Sequence, residues 1–289
     1  MPKLRVALQQ LLSGWRNDLS PEWAAAFSAI EPDFAAVDPS LTLTNGEVIF
    51  PGRKGQAPPG ARSDSHIFRA LEGIKPEEVR VVVMGQDPYT HVSQATGRSF
   101  EQGDLADWLG APAVTPSLRR IIQALAFHRT TDREYLAGAD GWTSLVQAVR
   151  QHQLNIEPAK ALWDGWQSQG VVFINAILTF NRFTPDFQFR GHQPLWKPII
   201  RRFLEVLVRR QNAQLVCVAW GGKASQAIKG AGVEVAAKTA GTWQTSVTIV
   251  KGPHPNAPPR DAPPFLATGD RFADINVALK SLSGTEVRW

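Results

Sequence analysis

The sequence predicts an α/β fold built on a parallel sheet. Four short apolar runs carry that expectation: Val79–Met84, Val171–Ile174, Leu215–Ala219 and Val247–Val250. They are rich in β-branched residues and continuous rather than alternating, the pattern of strands buried on both faces. Segments of helical period lie between them. Strand and helix therefore alternate, and parallel neighbours are joined by crossover helices.

Each element has its own warrant. In Met1–Arg16, Leu4, Leu8, Leu11, Leu12 and Trp15 share one helical stripe, with Lys3, Arg5 and Arg16 and no acidic residue. A transit peptide has a similar look; the reading adopted is a surface helix that docks by its stripe. Pro51–Asp64 is rich in Gly, Pro and Arg and reads as a loop. Pro116–Ser117 is a helix start, and the helix is expected over Ser117–Phe127. Lys197–Arg209 places Ile199, Ile200, Phe203, Leu204 and Leu207 on one stripe, with Arg201, Arg202 and Arg209 off it. A further helix, Gly222–Lys229, succeeds the third run. A second Pro-rich stretch covers His254–Pro264. Neither Pro-rich stretch separates two composition regimes and no internal repeat is present, so residues 1–289 read as a single domain.

Composition narrows the function classes. The 289 residues are 43% hydrophobic and 20% charged, which excludes a disordered, collagen-like or coiled-coil chain. The one cysteine, Cys217, excludes an internal disulfide, a four-cysteine zinc site and an iron–sulfur cluster. Thirty-one Lys plus Arg against 26 Asp plus Glu give a net charge of +5. That mild basic bias is compatible with a polyanionic partner without demanding one. Ten Trp could supply base-stacking platforms, but core packing is the expected use for most. No run is apolar for long enough to span a membrane, and nothing resembles a secretory signal. An intracellular, cytoplasmic protein is expected.

The segments at the strand ends matter more. Gly85-Gln86-Asp87-Pro88-Tyr89 comes after the first run, Asn175 after the second, Trp220-Gly221-Gly222 after the third and Gly252-Pro253-His254-Pro255-Asn256 after the fourth. Ligands of open α/β sheets bind at the carboxyl ends of the strands. Asp87, Asn175 and His254 would converge there from distant parts of the chain. Singly, a strand-end Asp reads as a cap, an Asn as a turn residue and a His as satisfied structure. Three on one rim point to a site.

These residues resemble the uracil-DNA glycosylases of the family-1 type, over essentially the whole chain. Gly85–Phe100 (GQDPYTHVSQATGRSF) is similar to that family's water-activating motif, and Gly170–Thr179 (GVVFINAILT) to its uracil-reading strand. Trp220-Gly221 matches the start of its minor-groove loop, and His254-Pro255 the start of its DNA-intercalation loop. The resemblance implies a three-layer α/β/α fold with a central four-stranded parallel sheet. It also implies a monomer that flips uracil out of single- or double-stranded DNA and hydrolyses the N-glycosidic bond, opening base-excision repair without metal or cofactor.

The resemblance assigns roles residue by residue. Asp87 would stabilise the cationic sugar and orient the water, and His254 would donate to uracil O2 as charge develops there. Asn175 would accept from uracil N3–H and donate to O4, a pattern cytosine reverses. Tyr89 would fence C5 against thymine's methyl, Phe100 would stack on the base, and Gln86 would offer a backbone amide. Ser117, Gly221, Gly222 (with Lys223 beside it) and Asn256 would hold the DNA backbone. Apart from the resemblance, Arg260 is the only strong cation in the altered His254–Pro264 segment, and on that ground it would grip or fill the duplex.

The departures cluster on the DNA-facing loops. Thr90 stands where the family motif ends in His, with His91 next. Gly222 replaces a Ser, Asn256 replaces another, and Pro258 falls where the family has a wedge Leu. Weak binding to the phage DNA-mimic inhibitor of the family, which houses that Leu, is therefore expected. Two rival readings remain at this point: a uracil- or abasic-DNA-binding protein with weak turnover, and a nucleoside or small-base hydrolase.

Overall fold

The computed structural model describes residues 1–110, 113–259, 263–267 and 269–289. Its centre is a four-stranded, all-parallel sheet of order β2-β1-β3-β4. The strands are β1 (Val81–Gly85), β2 (Val171–Asn175), β3 (Leu215–Trp220) and β4 (Val247–Gly252). All four apolar runs thus form strands. The first three are buried along their whole length, but β4 is buried only at Val247. Both β2 and β4 are edge strands, but only β4 is left partly open, and Lys251 stands exposed near its end.

The helices cover both faces. On one face lie α1 (Leu4–Leu11), α2 (Pro21–Ala26), α6 (Gln193–Val208), α7 (Gly222–Gly230) and α8 (Val233–Thr239), packed on Val82, Met84, Ile174 and Cys217. On the other lie α3 (Pro116–Thr130), α4 (Gly138–Arg150), α5 (Ala159–Gln167), α9 (Pro264–Ala267) and α10 (Arg271–Ser281), packed on Val81, Val83, Phe173 and Val218. Alternate residues of each strand serve opposite cores, which makes the three layers. The chain leaves β1 toward the second face and β3 toward the first. The carboxyl ends of these neighbours therefore part, and the crevice lies between them.

The N-terminal stripe docks: Leu4, Leu8, Leu12 and Trp15 are all buried. Arg53, from the Pro-rich 51–64 loop, pairs with Asp18 and donates to Gly14 O at 2.8 Å, tying that loop to the N-terminal segment. Most tryptophans serve the cores, Trp163, Trp166, Trp196 and Trp220 among them. Several helix bounds differ from expectation, two of them by three residues or more. The third helix extends past Phe127 to Thr130, and α6 begins at Gln193 rather than Lys197 because a π-helical turn, Asp186–His192, runs directly into it. Among the described residues, no helix is long and apolar enough to cross a membrane.

Candidate active site

The four strand ends are joined by specific contacts. Gly85 closes β1 opposite Asn175, which closes β2. A Cβ at Gly85 would fall 2.2 Å from Asn175 Oδ1 and 2.6 Å from Ser99 Cβ. Only glycine lets the amide lie over the end of β1 with the Ser99–Phe100 segment beside it. Beyond the ladder, Ala176 N–H donates to Gly85 O (3.0 Å) and Ile177 N–H to Gln86 O (2.9 Å), fixing the Gln86 peptide at the rim. Asn175 is 4% exposed, yet its side-chain amide has no hydrogen-bond partner among the described residues. The residue is buried but its amide tip keeps solvent access, and an accessible amide with its donors and acceptor unfilled is suited to reading a complementary ligand.

At β3 and β4 the register pairs Trp220 with Gly252, and Gly221 N–H donates to Gly252 O at 2.8 Å. Gly221 has φ +99°, and a Cβ there would lie 2.7 Å from His254 Cβ. The bare backbone thus seats the imidazole. Asn256 N–H donates to His254 Nδ1 at 3.0 Å, so the neutral ring carries its proton on Nε2. Burial lowers the His254 pKa. The group presented is therefore an uncharged N–H donor.

Phe100 links the two halves. Its ring centroid lies 6.4 Å from that of His254 and 6.2 Å from that of Trp220. Its φ is +62°, a left-handed conformation that costs a non-glycine about 1–3 kcal/mol unless neighbours hold it. They do. Ser99 N–H donates to Phe173 O (3.1 Å), Trp163 Nε1–H to Ser99 O (3.1 Å), and fully buried Glu101 takes Arg62 at 2.9 Å. Tyr89 OH donates to Phe100 O (3.2 Å) and accepts from Thr115 Oγ1 (2.8 Å). Burial pushes the Tyr89 phenol pKa up, which keeps it a neutral donor. Because Thr115 is turned to Tyr89, α3 begins without a side-chain cap. Its first-turn amides, at half-buried Ser117, are available to an anion.

Asp87 is half-buried, and burial raises its carboxyl pKa from 3.8 to about 6. Its Oδ2 accepts from Gln188 Nε2; its Oδ1 has no hydrogen-bond partner among the described residues. Sequence reasoning misses Gln188. It lies 101 residues away in the π-helical turn, a stretch with no legible period, and no sequence signal points to it. Thr90 and His91 are both exposed. Among the described residues, neither side chain bonds to Asp87.

The outer part of the site is less built. Gln86 lines an open cavity of about 360 Å³ with Phe189, Lys197 and Lys223, whose ammonium stands 5.0 Å over the Phe189 ring. Gly222 opens α7, and Pro258 and Pro259 are exposed. Arg260 lies outside the described residues. No cluster of three or more His, Cys, Asp or Glu suited to a metal occurs among the described residues.

Asn175, Phe100 and His254 thus stand at the strand ends, with the Asp87 carboxylate two residues before Tyr89 in the chain. The chain has relatives among proteins of known activity. One named uracil-DNA glycosylase, from Leuconostoc mesenteroides, is 31% identical over 204 residues, covering 69% of this chain and 71% of its own. Another of that name, from Bordetella petrii, is 27% identical over 284 residues, covering 96% and 89%. A mimivirus UNG variant solved in complex with UGI superposes with a TM-score of 0.60 at 20% identity, over 95% of this chain and 90% of that one. That last likeness speaks for the fold. The model of the uracil DNA glycosylase superfamily matches residues 72–275, which run from before β1 into α10 and include every one of the strand ends described above, and the chain belongs to that superfamily.

Proposed function

We propose that the chain is a monofunctional uracil-DNA glycosylase, which releases uracil from DNA and leaves an abasic site for base-excision repair. The observation that carries this is the partnerless amide at the tip of buried Asn175, on the rim that also holds Asp87 and His254. Uracil supplies an N3–H donor for its oxygen and an O4 acceptor for its NH₂; cytosine supplies neither, leaving buried groups unpaired.

The chemistry is dictated by charge. As the C1′–N1 bond breaks, its electron pair goes to the base and C1′ becomes cationic. His254 Nε2–H meets the negative charge at uracil O2 without having to lose or gain a proton. Ionised Asp87 meets the positive charge, and its free Oδ1 can hold the water that bonds to C1′ and take that water's proton. Phe100 stacks on the base, and the Tyr89 ring excludes a C5 methyl by shape. Because the base leaves with its own charge, a second carboxylate is not required of the site.

A duplex conceals the bond, so the nucleotide must leave the stack. The first-turn amides at Ser117 and those at Gly221 and Gly222 are suited to phosphates, with Asn256, Lys223 and Arg260 as further contacts. The exposed Pro258–Pro259 pair offers little apolar reach, so the phage-type inhibitor is expected to bind weakly. A site that only bound DNA would gain nothing from a half-buried carboxylate beside an anionic strand, which favours turnover over binding alone. The protein is expected to act inside the cell, as a monomer.

The test is base release from oligonucleotides containing uracil, thymine or cytosine, single- and double-stranded, with and without EDTA. Release of uracil alone, insensitive to EDTA, is expected. Release of no base from any strand would end this reading.

A further inference from the structure

We propose that Gln188 is the positioning residue of Asp87: its amide, delivered by the π-helical turn Asp186–His192, holds one carboxylate oxygen so that the other is left for water and sugar. The inference rests on the glycosylase reading above and deepens it.

The geometry is specific. Gln188 is 7% exposed, and its Nε2 donates to Asp87 Oδ2. A carboxylate can turn about its Cβ–Cγ bond, and a single fixed donor on one oxygen decides where the other lies. No charged side chain among the described residues perturbs Asp87; burial raises its pKa and the Gln188 hydrogen bond opposes that rise. Gln188 thus acts on both orientation and ionisation.

The turn that carries Gln188 is itself anchored. Gln188 N–H donates to Thr184 O at 3.1 Å. At the turn's other end, His192 is 1% exposed and burial lowers its pKa to about 3, so it stays neutral. A directed chain of hydrogen bonds passes through it. Trp196 Nε1–H donates to Thr179 Oγ1 (2.7 Å), whose hydroxyl bonds His192 Nδ1 (2.9 Å). The ring's Nε2–H reaches Asn181 Oδ1 (2.6 Å), and Asn181 Nδ2 donates to Glu47 (2.7 Å). Such a chain fixes every donor direction, so the turn cannot reregister without breaking several buried bonds. π-Turns of this kind are rare and recur at functional sites.

Two variants of similar shape test this. Gln188→Met keeps the volume and removes the donor. It is expected to move the acid limb of the pH–kcat/KM profile upward by roughly one pH unit, a tenfold loss of ionised Asp87 below that limb. On the high-pH plateau kcat should also fall while KM for the oligonucleotide stays constant. Gln188→Glu places a second carboxyl against the first and should move the limb further up. A merely structural role would lower the melting temperature and leave the limb in place. An unmoved limb in both folded variants overturns the proposal. Should the wild type release no uracil, the glycosylase reading fails by itself. The Asp87–Gln188 link is then read by carboxyl-carbon NMR titration, with Asp87→Asn identifying the resonance. An Asp87 titration unchanged by Gln188→Met would again overturn it.

Discussion

Asp87→Asn should make the protein more stable and nearly inactive, and the stability gain should depend on pH. Burial raises the Asp87 pKa from 3.8 to about 6 in the folded state. The folded chain therefore binds this proton more tightly than the unfolded chain. Stability falls as pH rises from the lower value through the higher one, then levels off. Roughly two pH units at ~1.4 kcal/mol each put the cost of the ionised carboxyl near ~3 kcal/mol above pH 7. Asparagine has the same shape, and its Oδ1 can accept from Gln188 in place of Asp87 Oδ2, so the hydrogen bond survives. Allowing for imperfect fit, the gain at pH 8 should be about 1–3 kcal/mol, or about 2–6 °C in melting temperature. At pH 4, where folded Asp87 is protonated and the unfolded carboxyl about half ionised, the gain should shrink to roughly 0.5 kcal/mol. Uracil release at pH 8 should be slower by about 10²–10⁴-fold, since the lost charge acts on the transition state. Calorimetry at the two pH values and single-turnover assays measure both. A variant no more stable than wild type at pH 8, or equally stabilised at pH 4, would refute the burial argument. Near-wild-type turnover would refute the catalytic one.

The other expectations concern the walls of the pocket. Asn175→Asp puts a carboxyl where exposure is 4%; burial keeps it protonated, so it can donate to cytosine N3. Slower uracil release with measurable cytosine release is expected, and unchanged uracil release would remove Asn175 as the reader. Tyr89→Ala removes both the C5 fence and the partner of Thr115. Thymine release should appear, and its absence with uracil release retained would count against the fence. Gly221→Ala combines φ +99° with a Cβ 2.7 Å from His254. It should displace the imidazole and reduce kcat/KM about 10–100-fold, at a stability loss of about 1–3 kcal/mol; full activity would show that the His254 seat does not matter.

Much of this protein was legible in the chain because it depends on local pattern. Continuous β-branched runs can be satisfied only in a doubly covered sheet, so β1, β2 and β3 were readable. The docking stripe of Leu4, Leu8 and Trp15 was readable for a similar reason. Strand ends converge by topology, so Asp87, Asn175 and His254 could be placed on one rim without coordinates. The resemblance added their roles. What the sequence could not determine is which side chains meet across that rim. Gln188 reaches Asp87 through a π-turn that has no period to detect. Thr115 turns to Tyr89 instead of capping its own helix. Gly85 and Gly221 matter through atoms they lack, opposite Asn175 and His254. The tautomer of His254 depends on one backbone N–H two residues on. Each of these is set by hydrogen bonds or close approach between segments that packing alone brings together. Local propensity decides what each segment becomes, and the tertiary fold decides what each functional group touches.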